Sequence, residues 1–386
     1  MRIMLPDENG RLAAYTMTGT PIVPEPLPDR PVRTVYSAAH VVADPFTAAE
    51  PAGPAAIDWD ATMAFRRHLA GLGLGIAEAM DTAQRGMGLD WPRALELVRR
   101  TRAELPDADV VNGCGTDQLD PADARSLDDV VRAYLEQVEA IQATGGRLVL
   151  MASRALARVA KTPADYVSVY DRVLAACDRP VVLHWLGAMF DPALAGYWGS
   201  DRFDEALETA LEVIGRNADR VDGIKISLLD REKEIVMRRR LPPGVKMYTG
   251  DDFNYPELIA GDGQGFSHAL LGIFDPIAPA AARAVARLGA GDVDGFRAIL
   301  DPTVPLARLI FRAPTRHYKT GVVFLAWLNG FQDHFVMLAG AQSMRPLPDF
   351  TGIFRLADGC GLLRDPDLAA DRMRRLLAVY GVTASG

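Results

Sequence analysis

Short apolar runs alternate with longer amphipathic stretches from residue 34 onward. The runs at 34–41, 74–81, 109–115, 147–152, 180–186, 221–227, 245–250 and 269–274 read as strands, bounded by polar, glycine or proline positions. Between them the apolar spacing changes to that of a helix, for example over 58–72, 91–104, 126–143 and 164–176. Asp58, Asp90 and Ser126 stand where N-caps belong. Strands separated by helix-length crossovers favour parallel pairing, because parallel neighbours need a long connection where antiparallel ones can be joined by a short hairpin. Eight such strands predict an α/β fold, a (β/α)₈ TIM barrel over residues 34–290. Ahead of it, residues 2–17 read as two short strands around Glu8-Asn9-Gly10, followed by a proline-rich linker over 21–31. Residues 1–33 are therefore an N-terminal hairpin extension, expected to serve as a cap or an oligomer contact, and residues 291–386 a C-terminal helical appendage.

A length of 386 residues accommodates this plan, since one barrel needs roughly 250. The formal net charge of −8 and a pI near 5.4 argue against a nucleic-acid partner, which would need clustered excess positive charge. Arg238-Arg239-Arg240 is the one basic run, and it suits a solvated helix end. No apolar stretch is long enough to span a bilayer and no apolar leader opens the chain, so no membrane partner and a cytoplasmic location are expected. The three cysteines, Cys114, Cys177 and Cys360, lie far apart with no Cys-x-x-Cys pair, which predicts reduced thiols and no structural zinc.

In a barrel, reactive groups come from the C-terminal ends of the strands. In Val221-Asp222-Gly223-Ile224-Lys225-Ile226-Ser227, alternation puts Gly223, Lys225 and Ser227 on one face and the two isoleucines on the other. Isoleucine suits the face beneath the helices, so Lys225 is expected inside the barrel. A desolvated lysine there has a depressed pKa and a free amine able to attack a carbonyl. A lysine paired with an inward carboxylate such as Asp81 or Asp251 is the alternative.

Over residues 34–330 the chain resembles the superfamily of dihydrodipicolinate synthase and N-acetylneuraminate lyase. The resemblance rests on Gly223-Ile224-Lys225, then Tyr248-Thr249-Gly250-Asp251-Asp252, then Leu271-Gly272-Ile273, Pro279, Pro305-Leu306 and Lys319-Thr320-Gly321, in that order. It implies a barrel with a helical tail and an imine-forming lysine at Lys225, with no cofactor or metal, in a homodimer or homotetramer. It further implies that His184 takes the place of a proton-shuttling tyrosine. Asp81 stands where the family has a relay threonine, in a segment, Met80-Asp81-Thr82-Ala83-Gln84, that departs from the family's Gly-Thr-Thr-Gly-Glu. An Asp81–His184 pair is the expected consequence. Thr82 and Gln84 fall in the segment that cradles the substrate, and Gly250, Asp251 and Asp252 where the sugar-acid lyases hold substrate hydroxyls.

Met189 stands where dihydrodipicolinate synthase has a carboxylate-binding arginine, and Ser153 and Arg154 where it has paired aromatic residues. Dihydrodipicolinate synthesis is therefore not expected. Arg85 and Arg154 are candidates for binding an anionic group, with salt bridges as the other reading of each. Asp251 is read as the hydroxyl acceptor, while Asp252 or Asn254 has capping of the next helix as its alternative role. His40 is either a substrate contact or a packed side chain. The functional expectation is a Schiff-base lyase or aldolase acting on a small, hydroxylated carbonyl compound, a keto acid or keto-sugar derivative. Its rivals are a metal-dependent sugar lyase or isomerase using His40, Asp81, His184 and Asp251, and a non-catalytic ligand-binding barrel.

Overall fold

A computed structural model describes the chain except residues 8, 29–30, 48–49, 51–52 and 383–386. It divides into two compact units, one of Arg33–Ala39 and Gly75–Gly272, the other of Met1–Val32, His40–Leu74 and Ile273–Gly386.

The first unit holds a closed barrel of eight parallel strands: β3 (Val35–Ala38), β4 (Gly75–Glu78), β5 (Val110–Cys114), β6 (Arg147–Leu150), β7 (Val181–Leu186), β8 (Val221–Ser227), β9 (Lys246–Thr249) and β10 (His268–Leu271). They are neighbours in chain order, and β10 closes on β3. The predicted (β/α)₈ barrel is the observed fold. Most strands end one to three residues sooner than expected, which leaves His40 and Asp81 in the loops that follow β3 and β4, while Asp251 lies beyond β9 as expected. Expected caps are present: the Asp90 carboxylate accepts from Arg93 N at 3.0 Å, and Ser126 forms a capping box with Asp129.

Alternation fills the barrel interior with Ala38, Ala77, Val111, Val149, Val182 and Leu270, and with the rings of Tyr36 and Tyr248. The tyrosine hydroxyls reach the N-terminal end. There Tyr36 donates to Asp109 at 2.9 Å and Tyr248 to Asp222 at 2.6 Å. Arg147 pairs with Asp109 and Lys246 with Asp222, both at 2.7 Å, so the carboxylates that hold the tyrosine hydroxyls are themselves paired. Gly223 makes room for the plug, because a methyl group there would lie 2.7 Å from the Tyr248 ring. With the lower interior closed in this way, space for chemistry is confined to the C-terminal end of the strands.

In the second unit, β1 (Arg2–Pro6) and β2 (Leu12–Thr16) form the expected antiparallel hairpin, in the register Arg2↔Thr16. Glu8 of the predicted turn, and Asp29 and Arg30 of the predicted linker, lie outside the described residues. The hairpin is tied to the C-terminal helix Leu347–Gly359. The Asp358 carboxylate accepts from the Tyr15 hydroxyl at 2.8 Å and from Thr18 N at 3.0 Å. Helix Trp59–Gly71 starts at the predicted cap, Asp58, whose carboxylate accepts from Ala61 N at 3.0 Å. Helix Tyr318–Leu328 is buried on all its sides, as the apolar run over 321–328 requires, and the burial takes in Lys319 and Thr320 of its first turn. Among the described residues, no helix is long and apolar enough to cross a membrane.

Candidate active site

Lys225 lies across from His184 on β7 and Tyr248 on β9 in the parallel register. His184 is two residues beyond the interior Val182, and Tyr248 is itself interior, so Lys225 points into the barrel as alternation predicts. Only 7% of it is exposed, and among the described residues its amine has no hydrogen-bonding or ion-pair partner. Burial lowers its pKa below the ordinary lysine range, while the carboxylates of Asp252 and then Asp81 pull the other way. A fraction of neutral amine is thereby available nearer neutral pH than in water.

Gly250 is what gives this side chain its space. A methyl group on Gly250 would lie 2.7 Å from Lys225 Cε, 2.3 Å from Ser227 Oγ and 2.7 Å from the carbonyl oxygen of Ile226. The residue expected to hold substrate is thus a slot beside the amine.

His184 is buried, and its Nε2 lies 3.2 Å from Ser227 Oγ. Burial first, and then the nearby Lys225 charge, push its pKa well below the usual histidine range. The ring is therefore neutral at physiological pH, with one nitrogen a donor and the other an acceptor. Its Nδ1 is buried without a partner among the described residues. The expected hydrogen bond between Asp81 and His184 is not made. The chain leaves β4 through Ala79, at φ 53°, and Asp81 opens a 3₁₀ turn, Asp81–Ala83, that carries it away from the strand. Asp81 acts on Lys225 through its charge instead. Ser227 takes the place beside the imidazole. The signal for it was in the sequence, since Ser227 shares the Lys225 face of β8.

Asp251 takes the capping role that was the alternative for Asp252 or Asn254. Asp251 Oδ1 accepts from Phe253 N at 2.8 Å and Asn254 N at 3.0 Å, and Oδ2 accepts from the Asn254 side chain at 2.7 Å. It therefore builds the turn into helix Tyr255–Ala260, an Asx arrangement that occupies both oxygens. Asp252, also buried, is the carboxylate with the larger effect on Lys225.

The two arginines read as anion binders are both paired within the protein. Arg85 is buried, donating to both Asp117 oxygens, to the carbonyls of Ala79 (3.2 Å) and Gly113 (3.0 Å), and to Gln137 (3.1 Å). It clamps the loops after β4 and β5. Arg154 pairs with Asp191 at a half-exposed position. Thr82 is buried inside the 3₁₀ turn, and Gln84 donates to the Met87 carbonyl at 3.0 Å in a left-handed conformation that ends it. In the second unit, His40 Nδ1 lies 2.8 Å from Asp275, whose same oxygen accepts the His40 backbone N–H, and the ring packs 4.4 Å from Phe65. No group of three His, Cys, Asp or Glu side chains placed to hold a metal ion occurs among the described residues.

The architecture is that of dihydrodipicolinate synthases. The chloride-inhibited enzyme of Acinetobacter baumannii, solved with pyruvate, aligns with a TM-score of 0.63 at 14% identity, over 86% of this chain and 99% of its own. An enzyme of Bacillus anthracis aligns at 0.62 and 15%, over 84% and 97%. A putative dihydrodipicolinate synthetase of Pseudomonas aeruginosa aligns at 0.61 and 17%, over 83% and 99%. The resemblance read from the sequence thus holds at the level of the fold. The chain itself belongs to the family described as "Protein of unknown function (DUF993)", which matches residues 3–382. No curated protein sequence matches it.

Proposed function

We propose that this protein is a class I lyase or aldolase whose Lys225 forms an imine with a small carbonyl substrate. The observation that carries this reading is the Lys225 amine, buried inside the barrel, without a partner among the described residues and depressed in pKa. The neutral amine adds to the carbonyl carbon, and the carbonyl oxygen leaves as water. The protonated imine then accepts the electron pair of the adjacent C–C bond as it breaks, or of the C–H bond before loss of water, giving an enamine. His184, neutral and bonded to Ser227, takes up the substrate proton and returns it to the enamine carbon. Hydrolysis of the resulting imine frees the product and the amine.

The substrate class follows from the charges. Asp252 and Asp81 bring negative charge toward Lys225, and carboxylates accept hydrogen bonds from hydroxyl groups. Arg85 and Arg154 are committed to Asp117 and Asp191. A hydroxylated keto compound fits this balance, in the range from keto sugars to hydroxylated keto acids. The Acinetobacter structure holds pyruvate, a keto acid, on the same fold.

Borohydride reduction in the presence of a carbonyl panel of keto acids, ketoses and aldoses tests the proposal. The expected product is a covalent adduct on Lys225, with the mass of the ligand less water plus two hydrogens. Absence of an adduct with every member, or an adduct that persists in Lys225→Ala, overturns it.

A further inference from the structure

The loops that enter β5, β6 and β7 border an open cavity of about 180 Å³, lined by Arg102, Asp109, Asn112, Gly146, Arg147 and Arg179 among others. It lies at the N-terminal ends of these strands, whereas barrel chemistry is built at the C-terminal ends. Three guanidinium groups line it with one carboxylate, Asp109, and Asp178 lies 3.6 Å from Arg179 Nε, so positive charge is in excess and favours an anion.

Each arginine is anchored to the chain. Arg102 Nη1 donates to the Pro106 carbonyl at 2.9 Å, Arg147 Nη1 to Asp109 at 2.7 Å, and Arg179 Nη2 to the carbonyls of Gly145 (2.8 Å) and Gly146 (3.2 Å). A guanidinium carries five N–H groups, so these bonds orient the forks and leave donors over. Asn112, 2% exposed, gives the cavity its second character. Its Nδ2 donates to the Arg147 carbonyl at 2.9 Å, while Oδ1 is buried without a hydrogen-bond donor among the described residues. Gly146 permits this approach, since a methyl group there would lie 2.8 Å from Asn112 Nδ2. An acceptor left in this state is costly until something donates to it.

We propose that this cavity binds a small oxyanion that carries its own hydroxyl group, with inorganic phosphate as the simplest case. The arginines take the anionic oxygens and Asn112 Oδ1 takes the hydroxyl proton. Phosphate keeps a P–OH at neutral pH and sulfate has no proton to give, so the two ions separate the roles of charge and of Asn112.

Isothermal titration of the full chain at pH 7.4 and constant ionic strength, with phosphate and then sulfate, is the test. One phosphate per chain should bind saturably, at least ~10-fold more tightly than sulfate, the loss expected for one hydrogen bond to a buried acceptor. Arg179→Gln and Arg102→Gln should each weaken phosphate several-fold while leaving reductive trapping at Lys225 unchanged, and Asn112→Leu should abolish the preference over sulfate. Should Asn112→Leu not fold, the two exposed arginines still decide whether the site exists. Absence of saturable binding, or binding that the arginine variants do not weaken, overturns the site. Equal affinity for phosphate and sulfate overturns the part given to Asn112.

Discussion

Replacing Gly250 with alanine adds one methyl group beside the reactive amine, and the structure says how much must move. The new carbon would lie 2.3 Å from Ser227 Oγ and 2.7 Å from both Lys225 Cε and the Ile226 carbonyl oxygen. Carbon needs about 3.5 Å from such neighbours, so a displacement of roughly 1 Å is forced. The Ile226 carbonyl has little freedom, because it accepts the Gly250 N–H at 3.0 Å within the barrel. The contact with that oxygen is relieved by a shift of the residue 250 backbone, and the other two fall on the side chains of Lys225 and Ser227. Overpacking of this kind costs about 1–3 kcal/mol, which a barrel of this size tolerates. A misplacement of about 1 Å at a reacting group costs on the order of 10²-fold in rate. We expect Gly250→Ala to fold with a lowered melting temperature and to trap a carbonyl ligand about 100-fold more slowly than the parent in single-turnover borohydride reduction. A variant that traps at the parental rate would refute the reasoning, since the clash would then have been absorbed without moving the amine.

Lys225→Met should remove trapping altogether while leaving the fold as stable or more stable, by about 1–4 kcal/mol in urea denaturation, because a buried charge is replaced by an apolar chain. Marked destabilisation would instead make the lysine a structural ion-pair member. Asp252→Asn withdraws the main charge that raises the Lys225 pKa, so the acidic limb of the trapping-rate profile should move to lower pH; a shift the other way sinks the assignment. Glu234, buried and bonded to Ser267 at 2.6 Å, is pushed by burial from 4.5 up to about 8, so the folded chain keeps a proton the unfolded chain has lost, and stability that is complete below about pH 4.5 declines as pH rises through about 8. At about 1.4 kcal/mol per pH unit that window is worth roughly 5 kcal/mol, and Glu234→Gln should flatten the slope in denaturation curves from pH 5 to 9; parallel slopes for the two proteins would refute it.

The periodic parts of the molecule were legible in the chain. Barrel strands, helix caps at Asp58, Asp90 and Ser126, and the inward direction of Lys225 all follow from local alternation and local hydrogen bonding, which neighbouring residues decide among themselves. The Asx turn at Asp251 is equally local, and a carboxylate two and three residues ahead of the amides that open a helix was its signal. What the sequence could not assign were the partners of the polar side chains. Arg85 meets Asp117 and Gln137, 32 and 52 residues further on, only because β4 and β5 are neighbours and helix Leu127–Gln142 packs behind β5. His184 meets Ser227, 43 residues away, because the register of β7 with β8 sets Lys225 beside His184 and so brings Ser227, two residues on along the same face, within its reach, while the 3₁₀ turn takes Asp81 elsewhere. A polar side chain has few directions locally but many partners globally. The alternation of the chain therefore determined that Lys225 faces inward, and only the packing of strand against strand decided that His184 and Ser227, with the charges of Asp252 and Asp81, would be its company.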